Sequence, residues 1–156
     1  MKCFKILIKL VVALAFVGVL YYFSRQSAFD SEAISRKCTD LFINAFGHIG
    51  LGHQAQRFLF YVDLRKIAHF VLFFIFGITS FLIFNVDNDK LRYAVCFGVS
   101  IVLSIADEVH QSFVAGREAT AKDVIIDILG AAIGLLFVFI VNKIIVAIKR
   151  KKREED

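Results

Sequence analysis

Residues 124–148 read VIIDILGAAIGLLFVFIVNKIIVAI, and the reading of this run decides the fold. Its ionisable residues are Asp127, one turn from the start, and Lys143, near the end. A soluble amphipathic helix would return polar residues to one face every three or four positions. Here the middle of the run has no polar face at all. At about 1.5 Å per residue, roughly 20 apolar residues cross the ~30 Å hydrocarbon layer of a bilayer. The run is therefore read as a membrane span.

Working outward, three more stretches qualify. Residues 6–23 are apolar apart from Lys9, residues 67–84 carry His69, and residues 93–113 carry Asp107, Glu108 and His110 in their second half. Lipid offers the backbone no hydrogen-bond partner, so spans of this length must be helices. The predicted fold class is all-α: an integral membrane four-helix bundle forming one domain over residues 1–156. A long outer loop (24–66) and a basic tail (149–156) complete it.

Composition agrees. Of 156 residues, 58% are hydrophobic and 21% charged, and there are 18 phenylalanines and no proline. Soluble domains hold roughly 45–50% apolar residues. A disordered chain is excluded by the apolar surface that needs covering. Three scattered cysteines exclude a disulfide scaffold. No glycine-rich nucleotide-binding signature is present. The net charge of +5 comes largely from the flanks of the spans, so no nucleic-acid partner is expected.

Lysine and arginine set the expected orientation. With the N-terminus inside, Lys2, Lys5, Lys9, Lys90, Arg92, Lys143 and the run Lys149–Arg153 are cytoplasmic, eleven of the 19. Both termini are then cytoplasmic. The first span could be read as a signal peptide. Its exit, Tyr21-Tyr22-Phe23-Ser24-Arg25, lacks a small-residue cleavage site, so a retained helix is expected. Cys3 would lie inside, within reach of acylation, and only Cys38 would face out. In the outer loop Ile34, Cys38, Leu41, Phe42, Ala45 and Phe46 recur at helical spacing. They predict an amphipathic helix, either a surface connector or a lid. Gly47, Gly50 and Gly52 should break it, and an apolar pattern resumes over residues 56–62.

An ionisable residue inside a span costs about 2.5–3.5 kcal/mol on insertion scales and marks function by default. Threading the four spans brings three such groups to one depth. Arg65, Lys66 and His69 open the second span. Asp107, Glu108, His110 and Gln111 close the third. Arg117, Asp123 and Asp127 bracket the start of the fourth. Ser104, Asp107 or Glu108, and Gln111 share a helical stripe. Asp123 and Asp127 face one way, and that face continues through Gly130 and Gly134, a GxxxG that permits close helix contact. The candidate polar pocket is Arg65, His69, Asp107, Glu108, Gln111, Arg117, Asp123 and Asp127. Four uses fit it: a structural clasp, a site for a polar ligand such as a lipid headgroup or cell-wall fragment, a metal-dependent hydrolase, or a proton-coupled carrier. Asp107-Glu108-Val109-His110 is not HExxH, so neither a metal nor another cofactor is expected. Ser104 and Ser112 lack a nucleophile elbow.

Three blocks carry a family resemblance. Arg65-Lys66-Ile67-Ala68-His69-Phe70 matches an RKxAHF pattern. Residues 107–117 match DExxQxFxxGR, and Asp123 through Gly130 matches DxxxNxxG with Asp127 in place of asparagine. In this order they resemble the VanZ-like membrane proteins, and Phe23-Ser24-Arg25-Gln26 with Ser31 and Ser35 resembles the region after their first helix. The resemblance implies a four-helix protein of the bacterial envelope. It also implies an association with resistance to teicoplanin, a lipid-tailed glycopeptide antibiotic, and Arg65, His69, Glu108, Gln111, Arg117, Asp123 and Gly130 as characteristic positions. The expected partner is then a membrane lipid or a cell-wall precursor. The alternative is an intramembrane enzyme acting on lipid or lipid-linked cell-wall substrates. Phe73 stands for a common tyrosine and Ala115 for a proline. Asp127 adds a carboxylate, expected to pair with Arg117 or Arg65.

Overall fold

The computed structural model describes residues 2–61 and 64–155. The side-chain readings for Lys2, Lys5 and Cys3, and the reading for Val62, fall outside this description. Among the described residues six helices account for the regular structure: α1 (Lys2–Ser24), α2 (Ala28–Gly47), α3 (Gly52–Tyr61), α4 (Leu64–Ile83), α5 (Asp89–Gln111) and α6 (Ala121–Glu155). Four of them, α1, α4, α5 and α6, are long and apolar enough to cross a membrane. The chain is an all-α membrane bundle.

The helix boundaries follow local chemistry. Asn88 caps α5 by accepting the Leu91 N–H at 3.2 Å, which starts that helix before the apolar run. Thr120 caps α6, its Oγ1 accepting the Asp123 N–H at 3.3 Å. At its far end α6 continues through the basic run, where Arg150 and Glu154 pair at 3.0 Å. Cations there suit the negative end of the helix dipole.

Polarity is distributed inside out. Around the bundle Val11, Leu14, Val102, Leu136, Phe137 and Ile144 are exposed, whereas Ser80, Ser100, Ser104, Asp107, Glu108 and Asp127 are buried. A water-soluble bundle would reverse this. Lipid tails are as apolar as the helix faces, so close packing must hold the helices together. The tightest crossing is α4 on α6. A Cβ on Gly130 would collide with the Phe70 carbonyl oxygen, one on Gly134 with that of Phe74, and one on Gly77 with that of Ala131. Glycine is required at each position because a backbone occupies the space. The GxxxG face is thus matched by Gly77 on the partner helix. Phe16 and Leu20 of α1 join Phe73, Phe76 and Ala131 in one apolar core, with Phe16 stacked on Phe76 at 4.5 Å.

Helices α1 and α5 finish, and α4 and α6 begin, at the same end of the bundle. At the opposite end two cations satisfy the last carbonyls of α4. Lys9 donates to the Ile83 oxygen at 3.2 Å and to Asn85 Oδ1 at 2.8 Å. Arg92 donates to the Phe81 oxygen and lies 3.8 Å over the Phe81 ring. The single charge interrupting the first span is therefore an α4 cap.

The connector between α1 and α4 holds two helices where the spacing predicts one. The amphipathic run is α2, which stops at Gly47, and residues 52–61 form α3 rather than a loose apolar stretch. Gly50 takes a positive φ of 78° in the turn between them. Ser31 is the buried residue of α2, while Phe29 and Leu41 are exposed. Cys38 is exposed and Cys96 buried, both as free thiols.

Candidate functional site

Three helices bring their polar residues together at the end where α4 and α6 begin. Helix α4 contributes His69 from its second turn. Helix α5 contributes Ser104, Asp107, Glu108 and Gln111 from one buried face, and α6 contributes Asp127. Asp107 and Glu108 are about 100° apart around their helix, and both are buried because α4 and α6 close on either side.

His69 lies at the centre. Its Nδ1 is 3.4 Å from Asp127 Oδ1 and 3.7 Å from Asp107 Oδ2. Asp107 Oδ2 also accepts from Gln111 Nε2 at 2.6 Å. Gln111 Oε1 in turn accepts from Arg117 Nη1 at 2.7 Å, and Arg117 Nη2 reaches the Phe23 carbonyl at the end of α1, 3.4 Å away. On the other side Ser104 Oγ donates to the Val124 carbonyl at 3.2 Å and lies 3.4 Å from Asp127 Oδ2. One chain of polar contacts thus runs Arg117, Gln111, Asp107, His69, Asp127, Ser104. It ties all four long helices together.

Asp127 pairs with His69, and the arginine partner expected for it is replaced by an imidazole. Arg117 is instead spent on Gln111 and the end of α1. It sits in the α5–α6 connector, where burial and then the charge of Arg65 pull its guanidinium below its ordinary value. Asp107, Glu108 and Asp123 pull it back, and an arginine remains charged regardless.

Glu108 has a different task from its neighbour. Its Oε1 accepts the Thr120 N–H at 2.5 Å and so fixes the turn that launches α6. Asp123 stands 3.9 Å from Lys66. His110 points away from the cluster, its Nδ1 2.7 Å from Ser24 Oγ and its ring beside Tyr21. Gly116, with φ of 75°, turns the α5–α6 connector so that the Ala115 carbonyl accepts the Ala28 N–H at 3.3 Å. That bond fixes the start of α2 against the site.

Two openings reach the cluster. A cavity of about 10 Å³, room for one water, is lined by Arg65, Lys66, His69, Gln111, Asp123 and Ile126. A larger groove of about 480 Å³ runs between α2 and α4. Ile34, Cys38, Ile67, Val71 and Leu72 give it apolar walls, and Arg65, His69 and Arg117 close its polar end. Sequence reading left the amphipathic run as a surface connector or a lid and did not assign Ser31, Ile34, Ser35 and Cys38 to a groove wall. Their i, i+3, i+4, i+7 spacing was the available signal.

A family model described as VanZ/LLP1 matches residues 9–142. No curated protein and no solved structure matches the chain.

Proposed function

The chain belongs to the VanZ/LLP1 family, and from that membership we propose that it binds an anionic envelope lipid or lipid-linked cell-wall precursor and thereby lowers susceptibility to lipid-tailed glycopeptides. One observation carries this reading: the α2–α4 groove is lined mostly by apolar side chains and also by Arg65 and Arg117. An acyl chain fits the first feature and a phosphate or carboxylate headgroup the second. Arginine suits that headgroup because its planar fork donates two parallel hydrogen bonds to an oxyanion. In the proposed orientation both termini are cytoplasmic and the polar end faces the outer leaflet of a bacterial cell membrane.

The test has two parts. In a sensitive Gram-positive host, expression should raise tolerance to teicoplanin more than tolerance to vancomycin, which lacks the lipid tail. Equal change, or none, in both counts against the resistance reading. Separately, native mass spectrometry of the detergent-purified chain should retain anionic phospholipid. Leu72→Trp, which fills the groove, and Arg65→Ala should each reduce that retention. Retention unchanged in both variants rules the groove out as the site.

The buried imidazole between two carboxylates favours a second reading, an intramembrane enzyme acting on lipid-linked substrates by general acid–base chemistry. Lipid turnover that disappears in folded His69→Ala would establish it.

A further inference from the structure

We propose that His69, Asp107 and Asp127 hold one divalent transition-metal ion, clasping α4, α5 and α6 together. The proposal shares His69 with the groove but requires no lipid. Its first support is geometric. Among the described residues these three each offer a donor atom, and the three atoms lie within 4.8 Å of one another. The two separations from His69 Nδ1 are 3.4 and 3.7 Å. Two donors bound about 2.1 Å from one ion at a tetrahedral angle stand about 3.4 Å apart.

The second support is independent of distance. His69 Nδ1 and Asp127 Oδ1 are both buried without a hydrogen-bond partner, although each faces the other. Asp127 is only 1% exposed and His69 8%. A polar atom left without a hydrogen bond in the interior is destabilising, and these two stand 3.4 Å apart. A shared cation satisfies both.

The surroundings fit as well. Asp127 has an outer partner, as ligands of bound metals do, because Ser104 lies beside its second oxygen. Gln111, held by Arg117, donates to Asp107 Oδ2, the oxygen 3.7 Å from His69 Nδ1, which the ion would share with that amide. A water-sized cavity lies beside His69. One imidazole and two carboxylates form an N/O set suited to Zn²⁺ or Mn²⁺ rather than to a thiolate-seeking ion.

The experiment uses the full chain in detergent, purified without a polyhistidine tag, incubated with Zn²⁺ or Mn²⁺, desalted, and assayed by elemental mass spectrometry. The expected result is about one ion per chain for wild type and for Asp40→Asn, an exposed carboxylate on α2, with loss to background in Asp127→Asn and Asp107→Asn. Chelation should lower the Tm of wild type and leave that of Asp127→Asn unchanged. If either aspartate variant fails to fold, the other and the chelation measurement on wild type decide. Three outcomes overturn the clasp: wild type without bound ion, equal loading in all variants, or a Tm insensitive to both ions and chelator. A loss in Asp40→Asn equal to that in Asp127→Asn overturns the stated ligand set.

Discussion

Replacing Gly130 by alanine asks whether the α4–α6 crossing sets the geometry of the polar cluster. The added methyl would overlap the Phe70 carbonyl oxygen and stand 3.2 Å from both the Phe70 carbonyl carbon and the Phe74 nitrogen. All three atoms belong to the α4 backbone, so no side chain can swing aside and the helix itself must shift. Phe70 follows His69 directly, and the shift therefore reaches the imidazole facing Asp127. Overpacking of this kind costs about 1–3 kcal/mol. Alanine for glycine inside a helix returns roughly 0.5–1 kcal/mol. The net effect is a destabilisation of about 1 kcal/mol, within a span of roughly 0–2.5. Gly98 in α5 is the control, because a Cβ there meets nothing within 4 Å. Gly98→Ala should keep the intrinsic gain alone. Thermal unfolding in a single detergent reads both, with 1 kcal/mol worth roughly 2–4 °C at this chain length. The two variants should move in opposite directions. Equal shifts of the same sign would refute the claim that backbone contact at Gly130 locks α4 to α6.

Glu108→Ala should cost about 1–3 kcal/mol by leaving the Thr120 N–H unsatisfied, while Glu108→Gln, which keeps an acceptor, should unfold close to wild type in the same detergent. Gly116→Ala forces a side chain into left-handed backbone, worth about 1–2 kcal/mol, and sets its Cβ 3.1 Å from that of Ala28. It should lower Tm and speed proteolysis within α2. Lys9→Met removes the donor to Ile83 and Asn85. It should destabilise by about 1 kcal/mol, seen as faster hydrogen exchange confined to the last turn of α4.

The spans were legible because each is a run of some 20 apolar residues, a signal that depends on composition and not on how helices meet. Their ends were less so. Asn88 and Thr120 extend α5 and α6 backward beyond the apolar runs, and the α5–α6 connector begins at Ser112, before Phe113. The α6 face through Asp127, Gly130 and Gly134 could be read directly. Its partner could not, since helical periodicity does not say which neighbour a face meets. That same gap hid the pairing of Asp127 with His69, which depends on the relative rotation of α4 and α6. Helix α3 went unread because three glycines beside it look like an open loop. Glu108 and Asp107 are adjacent in sequence and looked interchangeable. Only the position of Thr120 separates a turn-forming acceptor from a member of the His69 cluster.

The reach of Lys9 across the bundle has a consequence for biogenesis. Its two partners lie 74 and 76 positions further along the chain, so at about 5–20 residues per second the ribosome takes roughly 4–15 s to deliver them. Helices α4, α5 and α6 follow one another with short connectors and can close as a unit as soon as they leave the translocon. The first span, with 11% of its apolar window buried against about a third for α4 and α6, can wait in lipid with Lys9 reaching the interface until these acceptors arrive.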